Sequence, residues 1–210
     1  IAMPDPAARD PHTLIFDAAG DIWFTVQGGN FIGKLTRETE EVQLIPVPTE
    51  RSRPYGIEVA ADGTVWVVLL GTNKLASVNP ATMELTEYEI PRAEARPRRI
   101  GLTDDGRIWY VDYAGGMLGA YDPATQSFEE WAAPAGEDSR PYGMAVDGEN
   151  RIWFVETGVQ PNRFVGFDPA SGSYFAASDV PSGGGTVRHM HYHEPTNTIW
   201  FGADTNTIGR

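Results

Sequence analysis

The sequence predicts an all-β fold, a β-propeller of four-stranded antiparallel blades, with residues 1–210 forming one domain of about five blades. Three observations lead there. A Trp recurs at Trp23, Trp66, Trp109, Trp153 and Trp200, in steps of 43, 43, 44 and 47 residues. Each Trp sits in a short β-branched or aromatic run such as Ile152-Trp153-Phe154-Val155, and a second run precedes it, as in Arg140-Pro141-Tyr142-Gly143-Met144-Ala145-Val146. Turn residues punctuate each repeat at matching offsets. Self-similarity at a fixed period of this length marks a repeat architecture and outranks any local reading.

The second repeat is the template. Gly56-Ile57-Glu58-Val59-Ala60 reads as a first strand, and Ala61-Asp62-Gly63 as a tight turn in which Gly permits positive φ. Thr64 to Leu70 is a second strand, Gly71-Thr72-Asn73 a loop, and Lys74 to Val78 a third strand. Asn79-Pro80-Ala81-Thr82 is a β-turn whose φ is preset by Pro. Leu85 to Ile90 alternates in polarity as a fourth strand and ends at Pro91. The Ala19-Gly20 and Asp105-Gly106 pairs repeat the first turn; Asp122-Pro123-Ala124-Thr125 and Asp168-Pro169-Ala170-Ser171 repeat the second. Asn30, Asn73, Asn162 and Asn206 open the third strand as turn formers, with Gly116 in the remaining repeat. The Trp residues pack between blades on this reading.

The chain stops at Asn206-Thr207-Ile208-Gly209-Arg210, which reads as a third strand. It starts at Ile1-Ala2-Met3-Pro4, which reads as the tail of a fourth strand. Two architectures fit: a five-bladed ring lacking most of one strand, or the C-terminal part of a larger ring. The second is preferred, because the missing strand would leave a five-bladed ring poorly closed. Ile1 in place of Met accords with a processed or partial chain.

A net charge of −13 argues against nucleic acid or an anionic membrane as partner. No apolar run reaches membrane-spanning length, and the start is not signal-like. A soluble chain, cytoplasmic or periplasmic or secreted, is expected, and composition leaves the oligomeric state open. With no Cys, a disulfide scaffold and a thiolate metal site are excluded. Nucleophile-elbow, P-loop and dinucleotide fingerprints are missing from the sequence.

In a propeller the connection into the first strand and the loop between second and third strands lie at one end of the central channel, where residues from every blade converge. The residue eleven positions before each Trp is His12, Tyr55, Arg98, Tyr142 or His189, here termed the ring position. Two positions earlier stand Asp10, Arg53, Arg96, Arg140 and Val187. Of 16 basic residues, Arg51, Arg53, Arg92, Arg96, Arg98, Arg99, Arg140 and Arg188 all fall in these connections. Such a gathering in an acidic chain predicts a site for an anionic or carbonyl-rich small molecule, which the planar guanidinium grips bidentately. Equally, these Arg side chains can pair with carboxylates to hold blades together. Asp112 and Glu156 follow the Trp strands and are expected at the channel mouth, each as an Arg partner, a general base or a Mg²⁺ ligand. His189, His191 and His193 alternate on one strand. Counted from the Trp, two of them replace core aliphatics, and they read either as hydrogen-bonded inter-blade residues or as a transition-metal site.

The repeats, with Pro-Tyr-Gly-Ile/Met, then Asp-Gly, then Ile-Trp-Phe-x-Glu, then Asp-Pro-Ala-Thr, resemble the streptogramin B (virginiamycin B) lyase family of propellers along the whole chain. That resemblance implies a seven-bladed ring, a carbon–oxygen lyase that opens a cyclic depsipeptide by elimination at its ester, a role in antibiotic resistance, and Mg²⁺. It also implies two ring-position His residues on consecutive blades, working with a Glu two residues before the second His and another fourteen after it. Glu156 matches the later Glu, counted from Tyr142; Tyr142, Arg140 and Arg98 stand where the family pattern has His, Glu and His. His189 and His12 keep ring His residues, and Asp10 keeps an acid before His12. The expected enzyme uses Glu156 or His189 as base, Tyr142 as proton donor or positioner, and Arg98 and Arg140 to stabilise an oxyanion, with His12, Arg53, Tyr55, Arg96, Asp112 and Arg188 completing the ligand face. Glu156 is the best single Mg²⁺ candidate. The alternatives are a non-catalytic propeller holding a ligand or protein partner, and a metal-dependent lactonase-like hydrolase.

Overall fold

The computed structural model describes residues 1–182 and 185–210. It is all-β, with five consecutive blades in a propeller arrangement. The first blade is β1 (Pro11–Phe16), β2 (Ile22–Val26), β3 (Phe31–Thr36) and β4 (Glu41–Pro46), and the second is β5 (Pro54–Val59), β6 (Val65–Leu69), β7 (Lys74–Val78) and β8 (Leu85–Glu89). The third is β9 (Pro97–Leu102), β10 (Ile108–Asp112), β11 (Met117–Asp122) and β12 (Ser127–Ala132). The fourth is β13 (Pro141–Val146), β14 (Ile152–Glu156), β15 (Arg163–Asp168) and β16 (Ser173–Asp179), and the fifth has β17 (Val187–His193), β18 (Thr198–Ala203) and β19 (Thr207–Gly209). In every blade neighbouring strands in sequence are neighbours in the sheet. Ile1–Pro4, expected as strand, carries none; that stretch is irregular and lacks the alternating polarity that builds the other outer strands. Among the described residues no helix is long and apolar enough to cross a membrane.

The turns form for the reasons their residues supply. Gly20, Gly63 and Gly106 take φ of 82°, 88° and 84°, which the first turn demands. Asn79, Asp122 and Asp168 each accept a backbone N–H two residues on, from Ala81, Ala124 and Ala170. The first turn also serves the core. The Asp17 carboxylate closes its own hairpin through the Ala19 and Asp21 amides and accepts the Trp23 indole N–H at 3.0 Å. Asp147 does the same for Trp153 at 2.8 Å, and Thr103 accepts from Trp109 at 3.0 Å. A buried indole therefore keeps its hydrogen bond while its rings pack.

The chain divides into two compact units, Ile1–Arg98 and Arg99–Arg210. In the first, Trp23 and Ile32 of one blade meet Ile57, Val65 and Val67 of the next. In the second, Trp109 and Leu118 meet Met144, Ile152, Phe154 and Phe167, and a further cluster joins Val155 to Met190 and Phe201. Trp200 departs from the pattern and is 41% exposed.

Strand register corrects one expectation. Leu14, Ile57 and Met144 each pair with the residue that follows the Trp, namely Phe24, Val67 and Phe154. In the fifth blade the residue paired with Phe201 is Met190, and Val187 pairs with Ala203 as Pro54 does with Leu69. Arg188, not His189, is thus the register equivalent of His12, Tyr55 and Tyr142. Counting eleven back from Trp200 fails because the β17–β18 turn is one residue longer, made by a 3-10 turn at Glu194–Thr196 and a left-handed Asn197. The His trio moves with it. Met190 and Tyr192 occupy the core-facing positions, and His189, His191 and His193 stand exposed on the other face. They do not replace core aliphatics.

Candidate functional site

In the first, second and fourth blades the connection into the first strand is built the same way. Asp10, Arg53 and Arg140 adopt left-handed φ of 62°, 50° and 44° just before the strand. The connection is tied to the loop between second and third strands of its own blade. The Gln27 amide donates to the Asp10 carbonyl, Gly71 to Ser52, and Gly158 to Ser139, at 2.7 to 2.9 Å. Gly71 and Gly158 must be Gly here, because a Cβ would collide with the carbonyl oxygens of Arg51 and Asp138. These ties hold the two loops together at one end of the blade, where a ligand face was expected.

In the first unit three ring residues form one layer. The His12 and Tyr55 rings lie 4.1 Å apart between centroids, and the Arg98 guanidinium sits 5.3 Å from the Tyr55 ring. Thr25 positions Tyr55 by donating to its carbonyl at 3.0 Å. Tyr55 is buried and His12 is exposed, so His12 offers the reactive edge of the layer. Arg53 is exposed and donates its amide to Asn30. Arg96 spends its guanidinium on the Ala93 and Ala95 carbonyls, which makes it a loop brace.

In the second unit Arg99 is the hub. Its guanidinium lies 5.7 Å from the Tyr142 ring, and its Nε donates to the Arg188 carbonyl at 3.2 Å. Tyr113 packs edge-on to Tyr142 at 6.0 Å. Arg188 reaches Asp204 at 3.0 Å. The His189 imidazole has its pKa lowered by desolvation first, then by the charge of Arg99 and by His191, although part of the ring remains open to solvent. It is therefore neutral near pH 7. Arg140 is exposed, and neither it nor Arg53 has a carboxylate partner among the described residues.

The acids are not where they were expected. Asp112 and Glu156 are both fully buried, not facing a channel mouth. Asp112 Oδ1 accepts the Ala114 amide and caps its own loop. Glu156 Oε1 accepts the Ala135 amide at 2.7 Å, and Oε2 lies 3.6 Å from Arg163 Nη1. Burial raises the Glu156 pKa, against the opposing pull of the Ala135 amide and Arg163. The physical reason for the correction is the repeat itself: Glu156 occupies the place of Val26 and Leu69, both core residues. A general base at Glu156 would have no open path to substrate. The fit to Mg²⁺ is also poor. Arg163 supplies positive charge beside the carboxylate, and the described residues contain no group of three or more His, Asp or Glu side chains able to hold a metal ion.

The sequence did not point to Arg163 or Tyr113 as members of these clusters, and placed Arg99 only among the gathered basic residues. Arg163 was available: it lies directly opposite Glu156 in the β14–β15 hairpin, so pairing that hairpin from its ends finds the ion pair. Tyr113 carries no motif, and only packing reveals it.

A model of the Virginiamycin B lyase family matches residues 1–78. A solved streptogramin B lyase is 27% identical, with a TM-score of 0.84, covering 98% of this chain and 69% of its own. The chain is a propeller similar in fold to these lyases. A virginiamycin B lyase from Staphylococcus aureus, 24% identical, gives a TM-score of 0.88 over 99% of this chain and 68% of its own. A catalytically inactive His-to-Ala variant of the Staphylococcus aureus enzyme, with quinupristin, is 22% identical, with a TM-score of 0.85 over 99% and 71%. The comparison with curated proteins gives no match. Virginiamycin B lyase-like propellers thus share the blade architecture seen here, and the activity rests on the site.

Proposed function

We propose that this virginiamycin B lyase-like chain acts on a carbonyl-rich small molecule, of the streptogramin B cyclic depsipeptide class, by elimination at an ester. The observation that carries the reading is a neutral His189 beside the Arg99 guanidinium, which itself lies over Tyr142. Elimination needs a base for the proton α to a carbonyl and a cation for the enolate that develops. His189 takes the proton. The electron pair left on carbon forms a C=C bond, the ester C–O bond breaks, and the acyl oxygen leaves as a carboxylate. Arg99 stabilises the charge on the carbonyl oxygen. Tyr142 is nearly buried and positions Arg99. Arg140, exposed just before β13, draws in the carbonyl-rich ligand.

The test is turnover of quinupristin by the full chain, with His189→Ala, Arg99→Gln and Glu156→Gln as variants. His189→Ala should lower kcat/KM by about 10² to 10⁴, the usual contribution of a general base. Glu156→Gln should leave it within about threefold, an order of magnitude below that of a lost base. Because the His189 pKa is lowered, the acid limb of the wild-type profile should lie below the ordinary histidine value of 6.5. Turnover by His189→Ala at the wild-type rate would remove this assignment. A second reading, a non-catalytic binding propeller, is favoured by the burial of both Asp112 and Glu156. It predicts saturable quinupristin binding with no change in the ligand.

A further inference from the structure

The entry of β17 contains a residue that the strand ladder does not hold. Val187 pairs with Ala203 and His189 with Gly202, so Arg188 is the extra residue of a β-bulge and stands outside the pairing. A bulge residue needs other partners, and bulges beside a site commonly re-aim a side chain. Tyr55, in the matching bulge of the second blade, is held through its carbonyl, which accepts the Thr25 hydroxyl at 3.0 Å. In the fifth blade the Arg188 carbonyl accepts Arg99 Nε instead, at 3.2 Å. That bond orients the guanidinium, because Nε–H lies in the plane of the rigid fork.

Asp204 holds the bulge. Its two oxygens take one partner on each side of Val187: Oδ1 accepts the Thr186 amide at 2.6 Å, and Oδ2 accepts Arg188 Nη2 at 3.0 Å. These two bonds keep its carboxyl below the usual carboxylate range, the Thr186 amide first, so Asp204 is charged at neutral pH. Asp204 directly follows β18, the place that Gln27, Leu70, Tyr113 and Thr157 hold after the second strands of the other blades. In the first and fourth blades that residue ties the entry through its own amide, Gln27 to the Asp10 carbonyl and Thr157 to the Arg140 carbonyl. Of the five, Asp204 alone is an acid, and its side chain reaches the ring-position residue itself. From this geometry we infer that Asp204 is a positioning residue: through Arg188 it sets the carbonyl that orients the Arg99 guanidinium over Tyr142. The inference rests on the elimination reading, in which Arg99 stabilises the developing charge. The Arg188 and Asp204 side chains are largely exposed, so the pair adds little to stability, and its effect belongs in activity rather than in unfolding.

The test compares Asp204→Ala, Asp204→Asn, Arg99→Gln and the Asp204→Ala/Arg99→Gln double variant of the full chain, with circular dichroism as the check of folding. Two readouts are used: quinupristin turnover, and the His189 titration by imidazole proton NMR, assigned with His189→Ala. In Asp204→Ala kcat should fall by about 10- to 100-fold, the cost of misplacing a group by about 1 Å, with KM within about threefold. In the Arg99→Gln background the same replacement should change kcat by less than about threefold, because residues that act as a unit are not additive. Asp204→Asn keeps an oxygen for the Thr186 amide and loses the charge that holds Arg188, so it should follow Asp204→Ala. His189 titrates beside Arg99 and His191, with Arg188 and Asp204 at the same entry. Loosening Arg99 should raise its midpoint toward 6.5, whereas losing the Asp204 charge alone would lower it. Wild-type kcat in Asp204→Ala, an equal loss in the Arg99→Gln background, or full rescue by Asn would each overturn the inference and leave the lyase reading standing. If the wild-type chain leaves quinupristin unchanged, the lyase reading fails and the His189 midpoint decides alone: a midpoint in Asp204→Ala that stays or falls overturns the orienting of Arg99 by Asp204.

Discussion

Replacing Glu156 by Gln tests the account of its buried carboxyl. The side chain is 0% exposed, its Oε1 accepts the Ala135 amide at 2.7 Å, and Oε2 is 3.6 Å from Arg163. Burial dominates and raises its pKa above the ordinary 4.5. The sign follows directly. A carboxyl whose folded pKa is raised contributes stability that is fully present below 4.5 and is lost as pH rises through the raised value. Each unit of elevation costs about 1.4 kcal/mol once the group is ionised. Gln keeps an acceptor for the Ala135 amide and removes the buried charge. What is lost is the contact to Arg163, whose side chain is 36% exposed and so finds water readily; a pair of that kind is worth about 0–1 kcal/mol. Glu156→Gln should therefore be neutral near pH 4 and more stable than wild type near pH 8, by about 1.4 kcal/mol for each unit of elevation. Urea unfolding with linear extrapolation across that range measures it. A loss of about 3–5 kcal/mol at pH 8, the cost of breaking a tight buried pair, would refute the reasoning.

Two further substitutions probe the blades. Trp109 is fully buried, 5.4 Å from Trp131 and 5.6 Å from Phe167 between ring centroids, so Trp109→Ala should cost about 3–5 kcal/mol in unfolding free energy. Gly158→Ala drives a methyl group into the Asp138 carbonyl oxygen and should destabilise by about 1–3 kcal/mol, where Gly172→Ala, with open space around it, should lose only the strain of its φ of 64°. Hydrogen exchange at the Gly158 amide, which bonds the Ser139 carbonyl, should rise in the first variant and not in the second.

Much of the fold could be read from the chain because propeller blades repeat their turn chemistry. Asp62-Gly63, Asn79-Pro80 and the Trp strands recur at matching offsets, and each offset has a local cause in φ or in an Asx hydrogen bond. Ring residues could be projected for the same reason, and His12, Tyr55 and Arg98 do meet. Local count and register part company in the fifth blade. One added residue in the β17–β18 turn moved Arg188 into the ring position and turned the His trio outward. A polarity pattern would have caught this, since Val187, Met190 and Tyr192 are the apolar set of β17. Glu156 was misplaced for a different cause. A carboxylate at the position that Val26 and Leu69 hold in the first two blades is a core substitution, as Asp112 is in the third, and the partner of Glu156 on the adjacent strand is legible only once the hairpin is paired.

The measurement that bears most directly on the functional reading is mass spectrometry of quinupristin after incubation with the full chain. Elimination opens the ring without adding water, so the product should have the mass of the substrate and a new absorbance from its C=C bond, and His189→Ala should not form it. A product heavier by one water would mark a hydrolase, and unchanged quinupristin that nevertheless binds would mark a binding propeller; either result contradicts the lyase assignment.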